Sequence, residues 1–178
     1  LWNVRDHIPF EKIIVQAHRG YGNAGPEGSL ESFEMAWKLN MAPEADLRMT
    51  KDGTIVSFHD GDFARIIPDA PDELKKKGVK DLTFEETQQL DIGKFRGPQF
   101  AGQRIISLAG MLEVLDAHPD RLLYVDIKHI DFDVLARQTI GRHPQLIVAS
   151  SKYDELKEWK RVAPRSKTLH WMGGSEAS

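Results

Sequence analysis

Apolar positions along the chain switch between two periods. Ile13 to Ala17 is a short β-branched run, the pattern of a buried strand. Leu30, Phe33 and Trp37 follow at i, i+3 and i+7, one face of a helix that Ser29 caps. Glu44 to Met49 reads as a second strand. Asp52-Gly53 is a turn signal, and Thr54 to Phe58 a third strand ending at His59-Asp60. A long excursion occupies residues 60 to 120. Within it Thr83 and Glu86 have capping-box spacing, and Leu108, Met111, Leu112 and Leu115 form a helical stripe. Leu122 to Ile127 is a fourth strand. Phe132, Leu135, Ala136 and Ile140 mark the next helix, and Leu146 to Ala149 a fifth strand. Ser151 then caps a helix carrying Leu156 and Trp159, and Lys167 to Trp171 is a sixth strand.

Strands alternating with amphipathic helices imply a parallel sheet with helices outside it. A doubly wound open sheet and a (β/α) barrel both satisfy that pattern. The glycine fingerprint of a dinucleotide-binding sheet is absent, because the glycines of Arg19-Gly20-Tyr21-Gly22 have the wrong spacing. No repeat, low-complexity tract or linker divides the 178 residues, so they read as one domain, 1–178.

Composition narrows the function classes. The chain is 40% hydrophobic and 29% charged, ordinary for a globular protein. Lys+Arg number 24 against 27 Asp+Glu, and a net charge of -3 argues against nucleic-acid binding by bulk charge. No apolar run approaches the ~18 residues of a membrane span. With no cysteine there is no disulfide, thiolate nucleophile or Cys-ligated zinc. Residue 1 is Leu and no signal-peptide pattern is visible, so cytoplasmic and periplasmic or secreted locations both stay open.

The ionisable residues gather at strand ends. His18 and Arg19 follow the first strand. Glu44 and Asp46 lie two apart on the second and so share a face. His59 and Asp60 end the third, and Asp126 and Lys128 end the fourth. In a barrel these ends meet at one rim, the usual place of an active site. Three converging carboxylates repel unless a cation joins them, and oxygen-only ligation favours Mg²⁺ or Ca²⁺. Two imidazoles suit acid–base work, and Arg with Lys suits a phosphate. The set points to metal-assisted phosphoester cleavage. His7, His118, His129, His143 and His170 lack such placement, and Lys75-Lys76-Lys77 reads as a solvated face.

His18-Arg19-Gly20, Pro26-Glu27, Glu44-x-Asp46, Thr50-Lys51-Asp52-Gly53, His59-Asp60 and Asp126-Ile127-Lys128 together resemble the glycerophosphodiester phosphodiesterases. The excursion motifs Asp81-Leu82-Thr83-Phe84 and Leu90-Asp91-Ile92-Gly93 agree, so the resemblance spans residues 13 to 172. It implies a TIM (β/α)₈ barrel that hydrolyses glycerophosphodiesters to an alcohol and glycerol phosphate. It further implies that Glu44, Asp46 and Asp126 hold one divalent cation, Mg²⁺ or Ca²⁺. His18 and His59 would be acid and base, Arg19 and Lys128 would contact the phosphate, and Glu27 would support the site. A substrate glycerol hydroxyl would attack phosphorus, and water would open the cyclic product.

Three features depart from the family pattern. Gly28-Ser29 stands where the family usually has Asn-Thr, so an amide is lost. Asp126 stands where Glu is usual, which withdraws the carboxylate and suggests a water-bridged ligand. Six strands in 178 residues fall short of the ~250 residues of a full barrel, so the barrel is expected to lack its last units on the C-terminal side. A phospholipase-C-like or sphingomyelinase-D-like lipid enzyme is the alternative within the same chemistry. Phe63, Ile66 and Ile67 are the only apolar residues its loops offer for a membrane rim. A non-catalytic phosphate-binding module on a decayed barrel is the alternative of another class. The expected partner is a small glycerophosphodiester, with no nucleic acid and no membrane insertion; oligomeric state is left open.

Overall fold

A computed structural model describes residues 6–9, 12–128 and 130–171; His129 lies outside them. In chain order the elements are β1 (Val15–Ala17), α1 (Leu30–Lys38), β2 (Met41–Met49), β3 (Ile55–Ser57), α2 (Asp72–Lys75), α3 (Phe84–Thr87), α4 (Leu108–Ala117), β4 (Leu123–Ile127), α5 (Phe132–Gln138), β5 (Leu146–Ser150), α6 (Tyr153–Val162) and β6 (Lys167–His170). The strands β1, β2, β4, β5 and β6 are hydrogen-bonded in that order and all run parallel. This is the sheet of an incomplete TIM barrel.

The residues alternate across that sheet. Ala45 and Leu47 on β2, Leu123 and Val125 on β4, and Leu146 and Val148 on β5 pack outward against Phe33, Met111, Leu115, Leu135 and Trp159. Each such side chain contributes about 1.5–3 kcal/mol by leaving water. Glu44, Asp46, Tyr124 and Asp126 occupy the intervening positions and so point to the other face. The helix caps follow local chemistry. Ser29 Oγ accepts from Ser32 N–H, and Thr83 and Glu86 form the reciprocal capping box.

The structure corrects four expectations. The third strand is not a barrel strand: β3 lies antiparallel to the end of β2, with Leu47 opposite Ser57. The connection through Asp52-Gly53 closes with Thr50 N–H donating to Thr54 O, and so short a loop can join only antiparallel strands. The excursion is shorter than expected, because α4 packs on the sheet as part of the barrel frame. What remains forms a separate small core in which Val56, Phe58, Phe63, Ile66, Ile92 and Ile105 meet. Ile140 lies past the end of α5 and is exposed. Ser151 does not cap α6; Ser150 Oγ instead accepts from Lys152 N–H and donates to Glu155.

Candidate active site

The two acids of β2 and the acid of β4 meet because the strands are in register. Asp46 lies directly opposite Asp126, and Glu44 opposite Tyr124. One carboxylate oxygen from each of Glu44, Asp46 and Asp126 lies within 4.8 Å of the others. Glu44 and Asp46 are both 4% exposed. Burial first, and the charge of Asp46 second, push the Glu44 carboxyl above its usual range, against the Arg19 N–H and His18. Burial also raises Asp46, against His59 and Lys128. A cation beside these two carboxyls would offset both the burial and the repulsion that raise them. Three hard oxygen donors on adjacent strands fit Mg²⁺ or Ca²⁺. Asp126 reaches the cluster despite its shorter side chain, and its Oδ2 accepts from Lys128 Nζ at 2.5 Å. Lys128 Nζ is also 3.6 Å from Asp46. Burial depresses the Lys128 ammonium, but the Asp126 contact outweighs it and leaves the group raised.

The turn after β1 carries His18 and Arg19. Arg19 is in the left-handed region at φ 54°, uncommon for a residue with a side chain. Gly20 follows at φ 100°, where a Cβ would overlap Ser32 Oγ, so only glycine fits. The turn aims two parts of Arg19 at the site. Its N–H donates to Glu44 Oε2 at 3.2 Å, and its guanidinium lies 2.9 Å from His59 Nε2 and 3.5 Å from Glu27 Oε1. His18 is 67% exposed, with Nε2 3.8 Å from Glu44 Oε2. Gly28 is at φ 71° in the same loop. That region accepts glycine or asparagine most readily, which accounts for glycine where the family usually has Asn.

His59 reaches the rim through the β2–β3 hairpin rather than at the end of a parallel strand. Phe58 N–H bonds back to Asp46 O at 2.8 Å. Arg48 holds the turn by donating to Phe58 O and His59 O, the shorter contact being 2.7 Å. His59 Nδ1 lies 2.7 Å from Asp60 Oδ1. A guanidinium cannot accept, so its contact requires a lone pair on Nε2 and places the imidazole proton on Nδ1, toward Asp60.

Arg65 completes this arrangement and has no counterpart among the sequence expectations. Its Nε donates to Asp60 Oδ2 at 2.7 Å, and both terminal nitrogens clasp Glu27. Arg96, from the excursion, also donates to Glu27, at 3.3 Å. Burial raises the Glu27 carboxyl, but Arg65 and Arg19 outweigh it and hold the group below its usual range. Asp60 is lowered in the same way, burial being outweighed by Arg65 and His59. Arg65 lies five residues past Asp60 in a segment without periodicity, so spacing alone does not reveal it. Phe63 and Ile66 are fully buried in the excursion core and Ile67 is half-buried, so these residues provide no apolar rim. An open cleft of about 590 Å³ runs from His18, Glu44, Asp126 and Lys128 toward Phe132 and Trp171.

All eight expected site residues therefore meet at one rim. A family model for glycerophosphoryl diester phosphodiesterases matches residues 18–174. The chain belongs to this family. It is 31% identical over 166 residues to a glycerophosphodiester phosphodiesterase of Caldanaerobacter subterraneus, covering 88% of this chain and 65% of that one. It is 25% identical to a Bacillus subtilis glycerophosphodiester phosphodiesterase, covering 91% and 60%. The glycerophosphodiester phosphodiesterase structure of Thermotoga maritima superposes with a TM-score of 0.67 at 26% identity, covering 92% of this chain and 63% of that one. An Oleispira antarctica phosphodiesterase, solved in complex with the product sn-glycerol-3-phosphate, shares the fold with a TM-score of 0.76 at 22% identity, covering 93% and 68%. The chain thus spans about two thirds of the length of these relatives. Among the described residues no helix is long and apolar enough to cross a membrane.

Proposed function

We propose that this member of the family hydrolyses glycerophosphodiesters to an alcohol and glycerol phosphate, with His59 and His18 moving the protons. One observation carries the reading: the acidic triad, the two imidazoles, Arg19 and Lys128 form one connected cluster at one rim of the sheet. Glu44, Asp46 and Asp126 would hold a divalent cation, whose charge draws electron density from a phosphate oxygen. Arg19 and Lys128 balance the remaining charge of the phosphate.

The histidines differ in their surroundings: Asp60 orients His59, whose Nε2 accepts from Arg19, whereas His18 is open to solvent. One imidazole takes the proton of the substrate glycerol hydroxyl as that oxygen attacks phosphorus, and the other gives its proton to the departing alcohol oxygen as the P–O bond breaks. Water then opens the cyclic phosphate with the two roles exchanged, so one water is consumed for each diester.

Release of glycerol phosphate from glycerophosphocholine tests this. Wild-type protein with Mg²⁺ or Ca²⁺ should turn over, and His59→Ala should lose about 10²–10⁴ in kcat. Release that is independent of metal, or equal in His59→Ala, removes the reading.

A further inference from the structure

A second cavity, of about 530 Å³, opens beside Lys128, and none of the acidic triad lines it. Lys128 is the one residue that lines both this cavity and the catalytic cleft. Its other walls come from the end of β2, Gly61 and the 3-10 turn Val79–Asp81. Arg48, Lys51, Lys80 and Lys128 bring four cationic side chains to it, and no carboxylate lines it. Among the described residues, Lys51, Lys80 and Arg48 form no ion pair within 4.0 Å. Arg48 donates only to the Phe58 and His59 carbonyls, which leaves its full charge uncompensated. Lys51 is within electrostatic reach of Glu86, whose carboxylate is already bound to Thr83 N–H at 2.7 Å.

The cleft on the triad side is mixed in charge, with Glu44, Asp126 and Glu155 beside Lys128 and Lys152, and carries the apolar faces of Phe132 and Trp171. A phosphodiester carries two substituents, and a phosphate held at Lys128 has one of these environments on either side. Glycerol is uncharged and gains nothing from four cations. An anionic alcohol does, because a concave wall of one sign focuses its field on a bound counter-charge. We propose that the basic cavity is the subsite for the alcohol moiety and selects diesters whose alcohol carries a carboxylate or a second phosphate. The inference rests on the phosphodiesterase reading, and it adds the class of substrate.

Glycerophosphoserine and glycerophosphoethanolamine differ only by a carboxylate, so the pair isolates the effect. Calorimetric titration in EDTA measures their binding without turnover. The serine diester should bind about five- to tenfold tighter, the worth of one charge-assisted contact at a partly exposed site. The advantage should shrink as ionic strength rises. Lys51 and Lys80 are exposed, so a Lys51→Gln, Lys80→Gln double variant should fold and bring the ratio close to one. Lys38→Gln, on α1, should leave the wild-type ratio. Equal affinities in the wild type, no detectable binding of either diester, or an unchanged ratio in the double variant overturns the proposal. Equal diester affinities with lysine-dependent binding to phosphatidylserine vesicles, but not to phosphatidylcholine vesicles, overturns it in favour of a membrane surface. A retained serine preference without metal-dependent turnover supports the subsite and removes the hydrolytic reading instead.

Discussion

Arg65 makes no contact with the triad, yet its removal should disable the site. Its fork binds both oxygens of Glu27 and one of Asp60, three charge-assisted contacts from a single guanidinium. In Arg65→Met, Glu27 keeps only Arg19 at 3.5 Å and Arg96 at 3.3 Å, although it is 7% exposed. Stranding a buried carboxylate costs about 1–3 kcal/mol. Arg65 itself is 43% exposed, so solvent screening puts the expected loss in the lower half, about 1–2 kcal/mol. For a chain of this size that corresponds to a fall of roughly 2–8 °C in melting temperature. Asp60 loses the contact that fixes it against His59 Nδ1, and kcat should fall about 10–100-fold, the usual effect of losing an outer orienting partner. KM should barely change, because the side-chain contacts of Arg65 are with Asp60 and Glu27 and not with the triad, Arg19 or Lys128. Arg65→Lys keeps the charge without the fork and should recover part of the stability and little of kcat. Calorimetric melting and initial-rate kinetics decide it. Arg65→Met with wild-type melting temperature and kcat would show that Glu27 and Asp60 are held adequately without it.

Metal binding should require the triad: calorimetry should detect one Mg²⁺ or Ca²⁺ site that a Glu44→Gln, Asp46→Asn double variant lacks, and equal heats in both proteins would remove the site. Because Glu27 is held below its usual range, its contribution to stability is complete above the unfolded carboxyl value of about 4.3 and is lost as pH falls through the folded one. Below about pH 5 the melting temperature of Glu27→Gln should therefore decline less steeply than that of wild type, and parallel acid limbs would contradict the pairing. Tyr124 Oη is buried without a hydrogen-bond partner, and burial together with Glu44 and Asp126 pushes its hydroxyl up to about 12. Tyr124→Phe should stabilise the fold by about 1 kcal/mol and abolish the phenol titration near that pH; a destabilised variant would mean the hydroxyl has a partner.

The parts of the fold legible in the sequence are those where local chemistry and tertiary packing agree. Ser29 with Phe33 and Trp37 defines α1, because the cap and the buried face are both local signals; Leu30, the first position of the stripe, is exposed. The hairpin is not legible in composition, because Thr54 to Phe58 has strand character in either direction; only the length of the connection separates a parallel from an antiparallel partner. Ile140 continues the helical stripe, but α5 ends at Gln138 and Gly141 follows at φ 83°. The triad was readable because the two-residue spacing of Glu44 and Asp46 fixes their shared face. Arg65 and Arg96 were not, since they arrive from an irregular segment whose path is set by its own small core.

Five carboxylates crowd this rim, and their surroundings divide four of them into two kinds. Glu44 and Asp46 are raised, because burial and mutual repulsion exceed what Arg19 N–H, His18, His59 and Lys128 return. Glu27 and Asp60 are lowered, because Arg65 and its neighbours more than offset burial. Asp126 shares its charge with Lys128. Residue type does not make this distinction, and neither does burial, since Glu27 is nearly as enclosed as Glu44. Guanidinium placement makes it. The arginines are committed to Glu27 and to Asp60, which orients His59, while the acids of β2 have no guanidinium side chain bound to them. Arg19 stands between the two groups, its backbone N–H on Glu44 and its side chain on Glu27 and His59. A left-handed residue followed by a glycine that admits no Cβ is the backbone geometry that lets one residue serve both.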